Sequence, residues 1–177
     1  RGGSGMSVEV PVIETDRLVL RAPRFEDLDP LCGFFADERS KYVGGPSERG
    51  EVWRMLLRSA GQWQLRGYGL WHITVRDSGE MIGHAGVLHH IEWPEPELAY
   101  GIFAAYEGKG YAHEAVEAAR SAAARHFGLT RLISMIDPTN DRSRALALRL
   151  GAHYEGEDTL FGQTCHIYRH PEQREGV

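Results

Sequence analysis

Cysteine is nearly missing from this chain. Cys32 and Cys165 are the only two, far apart and without metal-type spacing. No disulfide framework or thiolate-held zinc site can be built from them, and the pair fits free thiols in a reducing, cytoplasmic setting. Long apolar runs are absent too, so no bilayer-spanning segment and no signal-peptide core are expected. There is no basic block, and a formal net charge of −5 weighs against nucleic-acid binding by phosphate neutralisation. Histidine is plentiful, but His89 and His90 are adjacent and no His-x-x-x-His falls on a helical pattern, so no metal is expected. Neither an internal repeat nor a low-complexity linker divides the chain.

What remains is an ordinary globular composition, 42% hydrophobic and 25% charged over 177 residues, which is enough chain for one domain with a real core. Arg1-Gly-Gly-Ser-Gly5 reads as an expression-tag remnant ahead of a native start at Met6, residues 13–170 as the domain and 171–177 as a tail. Alternation predicts strands over 13–21, 68–76, 81–91, 97–105, 131–136, 152–160 and 164–169. Helical spacing predicts a helix opened by Asp29-Pro30, one capped by Ser47 after Gly44-Gly45-Pro46, one closed by Gly128, and one from Asn140 to Leu150 stopped by Gly151. The fold class is mixed α/β (α+β).

The stretch from Glu97 to Phe127 organises the rest. A short apolar strand feeds Tyr106-Glu-Gly-Lys-Gly-Tyr-Ala112, and an alanine-rich helix follows, with Ala112, Ala115, Val116, Ala119, Ala123 and Phe127 on one face. A glycine turn opening a helix is an anion site, because several N–H groups converge where the helix carries partial positive charge. It is no Walker A loop: Phe103 stands where the first glycine belongs, and Gly110 follows Lys109. It is no dinucleotide fingerprint either, since His113 stands where Gly or Ala is wanted.

Gly108-Lys109-Gly110-Tyr111-Ala112 resembles the pyrophosphate loop of the GNAT superfamily of acyl-CoA-dependent N-acyltransferases, Gln/Arg-x-x-Gly-x-Gly/Ala, with Glu107 departing at its first position. Glu14-Thr-Asp-Arg-Leu-Val-Leu-Arg21, Gly67-Tyr-Gly-Leu-Trp71, Gly79-Glu-Met-Ile-Gly83, Asp137-Pro-Thr-Asn140-x-x-Ser143 and Leu150-Gly-Ala-His-Tyr-Glu-Gly156 extend the likeness to the branch that acetylates ribosomal-protein N-termini. Ala152, where that branch usually has an aromatic, is a second departure. The resemblance implies one domain with a twisted, mostly antiparallel sheet of about seven strands flanked by about four helices. The sheet would splay between the strands starting near Glu97 and Arg131. It implies acetyl-CoA as co-substrate, with pyrophosphate on Glu107, Gly108, Lys109, Gly110, Tyr111 and Ala112. Pantetheine would lie along Ile102, Phe103 and Ala104 and touch Asn140, and Ser143 would bond the CoA sulfur.

The chemistry asks for a held thioester, an oxyanion donor and a deprotonated amine. An α-amine titrates at roughly 7.7–8.0 and a lysine near 10.4, so a base helps. Glu97 is the candidate, acting through water, against a plain strand-end carboxylate beside Glu92 and Glu95. Ser143 is otherwise a first-turn serine capped by Asn140. The leaving-group tyrosine of many relatives falls at Ala147 and is absent. Cys165 could carry an acyl group, His166 could face the acceptor, and Tyr42, Trp71 and Trp93 are candidates to line its pocket. The expected activity is direct acetyl transfer from acetyl-CoA to a primary amine, on a peptide N-terminus or a small molecule, in one ternary complex. The alternative is a non-catalytic acyl-CoA-binding module. No nucleic acid or membrane is expected as partner, and a homodimer stays open.

Overall fold

The computed structural model describes residues 7–174. The short run 1–5 and the last three residues of the predicted tail therefore lie outside the described residues.

Eight strands make one sheet in the order β1-β2-β3-β4-β5-β6-β8-β7. They are β1 (Ile13–Glu14), β2 (Leu18–Arg21), β3 (Leu70–Val75), β4 (Met81–Leu88), β5 (Glu97–Ile102), β6 (Ile133–Ile136), β7 (His153–Leu160) and β8 (Gln163–Arg169). The four α-helices are α1 (Leu28–Phe35), α2 (Arg49–Arg66), α3 (Tyr111–Phe127) and α4 (Asp141–Arg149), and a 3₁₀ segment, Glu38–Val43, lies between α1 and α2. The expected first strand is two strands folded at Asp16-Arg17, which is why the sheet counts eight. Two helix starts also differ. The first begins at Leu28 with Asp29-Pro30 inside its opening turn, and α2 begins after Glu48 while the Ser47 hydroxyl donates to the Gly44 carbonyl at 3.0 Å.

Every neighbouring pair is antiparallel except β5 and β6, which are parallel and share a single register pair, Glu97 with Ile133. Beyond that pair the two strands part. The expected splay is therefore a seam between two half-sheets, β1–β5 and β6-β8-β7.

Alternation along β5 divides its side chains between the two faces. Leu98 packs with Ala115, Val116 and Ala119 of α3, so Leu98 and Tyr100 face α3 and α4. Phe103 packs with the cluster of Leu31, Phe35 and Val52, so Glu97, Ala99 and Gly101 face α1 and α2. Trp71 is buried on the α3 side, edge-on to Trp63 and stacked on Phe127, with its indole N–H on the Pro11 carbonyl at 2.8 Å. It is core, not the pocket wall the sequence suggested.

A polar chain braces the far side of the seam. Arg120 Nη1 donates to His170 Nδ1 at 3.2 Å, His170 Nε2 donates to Ser134 Oγ at 2.8 Å, and Ser134 Oγ donates to the Leu98 carbonyl at 2.7 Å. This direction makes His170 a neutral ring with its proton on Nε2. Burial first and Arg120 second push its pKa down to about 4.

Candidate active site

The seam opens into a cleft of about 720 Å³ lined by Glu97, Tyr100, Ser134, Met135, Asn140 and Ser143 among others. Its backbone follows from register. Phe103 N–H donates to the Ile82 carbonyl at 2.8 Å, so odd residues of β5 bond to β4 and even residues turn to β6. Because β6 has moved away, the Tyr100 and Ile102 amides face the seam without a strand partner. Phe103 was expected beside Ile102 as a donor, but its amide is already taken. A ligand bearing amides can therefore pair with Tyr100 and Ile102 as an added strand.

Glu97 sits where the strands part. Its Oε2 accepts from the Met135 amide at 2.6 Å and its Oε1 from Trp93 Nε1 at 3.1 Å, so the carboxylate stands in for the strand that Met135 has lost. Burial pushes its pKa up to about 7, against the opposing pull of those two donors. A carboxyl poised near neutrality can hold or release a proton under working conditions.

Across the strand, the Tyr100 hydroxyl lies 2.9 Å from Ser143 Oγ and donates to the Ser143 carbonyl at 3.0 Å. Asn140 caps α4, accepting from the Ser143 amide at 3.2 Å. Burial pushes the phenol up to about 12 while the Ser143 bond pulls the other way, so it stays protonated. Ala147, the position where the resemblance calls for a tyrosine, is packed with Ala152, Ile136 and Tyr168. Tyr168 fills the space that both small residues leave. The phenol at the cleft comes instead from Tyr100, which sequence reasoning missed because nothing local ties a strand residue to a helix 43 positions later.

Gly108 and Gly110 have φ of 76° and 79°, and Gly110 is the N-cap of α3 with no side-chain cap. The first amides of α3 are thus free to take an anion. Arg17 stiffens this loop: Nη1 donates to the Lys109 carbonyl at 2.9 Å, Nε to Glu114 Oε1 at 2.7 Å, and the guanidinium lies 4.4 Å from the centre of the Tyr111 ring. Glu114 therefore pairs with Arg17, not with its neighbour His113. Glu107 is clamped by Arg142 of α4 and by Arg39 at 3.3 Å. Two guanidiniums against one carboxylate leave the loop positive in spite of the acidic residue at its first position.

Other candidates sort plainly. Tyr42 and Trp93 line the cleft, and the Tyr42 hydroxyl bonds Thr139 Oγ1 at 3.0 Å across its mouth. His166 turns to Glu157 and Tyr154, away from the cleft. Cys165 lines it, but burial, Asp158 and Glu97 raise its pKa, so the thiolate an acyl carrier needs is suppressed. Among the described residues no group of three or more His, Cys, Asp or Glu is placed to hold a metal, and no helix is long and apolar enough to cross a membrane.

The buried groups carry a pH consequence. His170 and His84, whose pKa burial and then His72 push down to about 4, have folded values below the ordinary 6.5. Their stabilising share is present above 6.5 and lost as pH falls through 4. Glu97, raised from 4.5 to about 7, acts in the opposite sense, favouring the fold at low pH and losing that share on the way up. Two imidazoles outweigh one carboxyl, so the urea midpoint should drop between pH 6.5 and 4. A flat midpoint over that range would contradict the buried neutral rings.

A parted sheet over a glycine loop at a helix start defines a class, the acyl-CoA-dependent acetyltransferases. A family model described as "Acetyltransferase (GNAT) domain" matches residues 17–153, and the chain belongs to that family. Among curated proteins it is 28% identical over 151 residues to the uncharacterized N-acetyltransferase YoaA of Bacillus subtilis (strain 168), covering 82% of this chain and 85% of the relative. A crystal structure of an acetyltransferase from Agrobacterium tumefaciens str. C58 matches at TM-score 0.85 and 31% identity, over 97% of this chain and 100% of the other. RimL, a ribosomal L7/L12 alpha-N-protein acetyltransferase solved with coenzyme A, shares the fold at TM-score 0.76 and 19% identity, over 92% and 98% of the chains. The protein is an acetyl-CoA-dependent acetyltransferase whose structural neighbours include ribosomal-protein acetyltransferases.

Proposed function

We propose that the acetyl group moves directly to a primary amine within one ternary complex, with Glu97 as base and Ser143 and Tyr100 attending the sulfur. The observation that carries this is the division of β5. Glu97 faces the α1/α2 side and the Tyr100–Ser143 pair faces α4, with free amides of the same strand between them. A carbonyl held at those amides has a base on one side and hydroxyl donors on the other.

Residues 108–112 and Arg17 would seat the pyrophosphate, while Ile102 and Asn140 would hold the pantetheine arm. The amine nitrogen attacks the carbonyl carbon, Glu97 takes its proton through water, and the carbon–sulfur bond breaks. The Ser143 and Tyr100 hydroxyls, each with one proton, turn from one another and from the Ser143 carbonyl to donate hydrogen bonds to the departing thiolate. A phenol near 12 is a better hydrogen-bond donor than proton donor, so CoA takes its proton from solvent after release. Tyr100→Phe should lower kcat about ten- to a hundredfold, the worth of a hydrogen bond to a charged group, with little change in the KM for acetyl-CoA. An unchanged kcat would remove Tyr100 from the sulfur side.

A non-catalytic CoA module would be favoured by the missing tyrosine at Ala147 and by the acidic Glu107. Tyr100 supplies the first loss, and Arg39 with Arg142 answers the second. Thiol release from acetyl-CoA over a panel of amines and peptides is the test. Acetyl-CoA raising the melting temperature with no acceptor giving turnover would overturn direct transfer. Free Cys32 and Cys165 are compatible with a reducing, cytoplasmic setting.

A further inference from the structure

The cleft has an inner arm. From Glu97 it continues beneath α1 and α2 along one face of the sheet to His72 and His84, which are cross-strand partners on β3 and β4. Its walls carry Leu31, Phe35, Val52 and Leu56, with Arg58, Ser59 and Gln62 of α2 among them, and its floor is imidazole. His72 Nδ1 donates to Asp27 Oδ2 at 2.5 Å, and Asp27 is gripped by Arg21 at 2.7 and 2.9 Å and by the Arg24 amide at 2.9 Å. That carboxylate fixes the His72 tautomer and leaves Nε2 uncommitted.

His84 lies flat over Gly101, where a Cβ would sit 3.1 Å from its ring. It is deep enough for its charged form to be disfavoured, yet it keeps accessible surface, and that surface is the cleft's. Among the described residues neither ring nitrogen of His84 has a hydrogen-bond partner. Ser59 Oγ on α2, lining the same cleft, is buried and unpaired, while the unpaired nitrogens of His84 keep accessible surface. Buried polar groups in folded proteins are ordinarily satisfied, so the orphaned Ser59 hydroxyl, lining the cleft with imidazole nitrogens that no side chain answers, marks where a ligand supplies the missing partners.

We propose that His84, flanked by His72 and Ser59, binds the far end of the acceptor, and that this acceptor is an extended primary amine ending in a neutral hydrogen-bonding group such as a carboxamide or hydroxyl. The inference rests on amine acetylation at Glu97. Charge sets the class. Asp27 is neutralised by Arg21, and the two cations of the lining are engaged elsewhere, Arg58 at Glu51 with its side chain 59% exposed and Lys41 over the Tyr42 ring. A carboxylate or second ammonium at the arm's end would therefore be stripped of water without a buried counter-ion. A neutral imidazole offers one donor and one acceptor, which a carboxamide or hydroxyl answers. Length follows from register: four residues separate Glu97 from Gly101, the partner of His84, or roughly 13 Å of strand.

The test compares kcat/KM for three linear primary amines of matched length, ending in carboxamide, methyl and carboxylate. The unaltered enzyme should favour the carboxamide over both others by tenfold or more. His84→Phe keeps a ring over Gly101 without its nitrogens and should bring carboxamide and methyl to parity, leaving the KM for acetyl-CoA unchanged. His84→Leu serves the same purpose with a smaller side chain, and the rise in melting temperature with acetyl-CoA shows which variant has kept its fold. No preference in the unaltered enzyme, or the same preference in a folded variant, overturns the assignment. If amines are acetylated but His84 is indifferent, only the subsite fails. If no amine is acetylated, the amine reading fails and the subsite with it.

Discussion

Glu97→Gln is expected to lower kcat by about a hundredfold or more, the usual worth of a positioned general base, with the KM for acetyl-CoA nearly unchanged. The direction of the pH profile sharpens this. With the Glu97 pKa raised to about 7, the fraction able to accept a proton grows as pH climbs through neutrality, so kcat should rise along that limb. The glutamine variant should lose the limb. Glu97 also accepts from both Met135 N–H and Trp93 Nε1–H, and a glutamine can accept from only one while turning an NH₂ toward the other. Some loss of stability, about 1–3 kcal/mol, is therefore expected as well. A melting curve separates the two effects. An unchanged rate across pH would make Glu97 a strut of the seam and nothing more.

Gly110→Val should raise the KM for acetyl-CoA about a hundredfold or more while sparing the fold of the sheet. Gly110 holds φ of 79°, where a β-branched residue is strained by about 1–2 kcal/mol or more. Its Cβ would also meet Arg17 Nη2 at 3.4 Å, the guanidinium that fastens Lys109 and Glu114. Both effects fall on the amides that would receive the pyrophosphate, and losing two or three charge-assisted bonds accounts for the magnitude. Titration calorimetry with CoA checks it. Wild-type affinity in the variant would move the anion site away from the start of α3.

Both substitutions sit in a stretch that was legible from sequence because its physics is local. Glycines in left-handed backbone, an uncapped helix start and alanine at helical spacing all lie within 31 consecutive residues. The hairpin at Asp16-Arg17 was not legible. It contains no glycine and is held by Glu114, which accepts from Thr15 and Arg17 nearly a hundred positions away. Tyr100 could be assigned only once the sheet order put α4 opposite β5. Trp71 misled because an aromatic reads the same in a core as in a pocket wall. The Asp27–Arg21–His72 cluster joins three elements, and His84 gains meaning only from the cleft around it. Sequence periodicity says which face a residue takes; it does not say what stands across from that face.

The two halves of the cleft answer to different parts of the chain. On the proposed CoA side the contacts would fall to main-chain amides at Tyr100, Ile102 and residues 108–112, which any residue compatible with the local backbone provides. On the proposed acceptor side they would fall to side chains of α2, β3 and β4, each a single codon change from a different surface. Drift in sequence can thus remake what is acetylated while leaving the donor half intact. That division would let relatives at 28–31% identity keep the family's donor half while differing in acceptor.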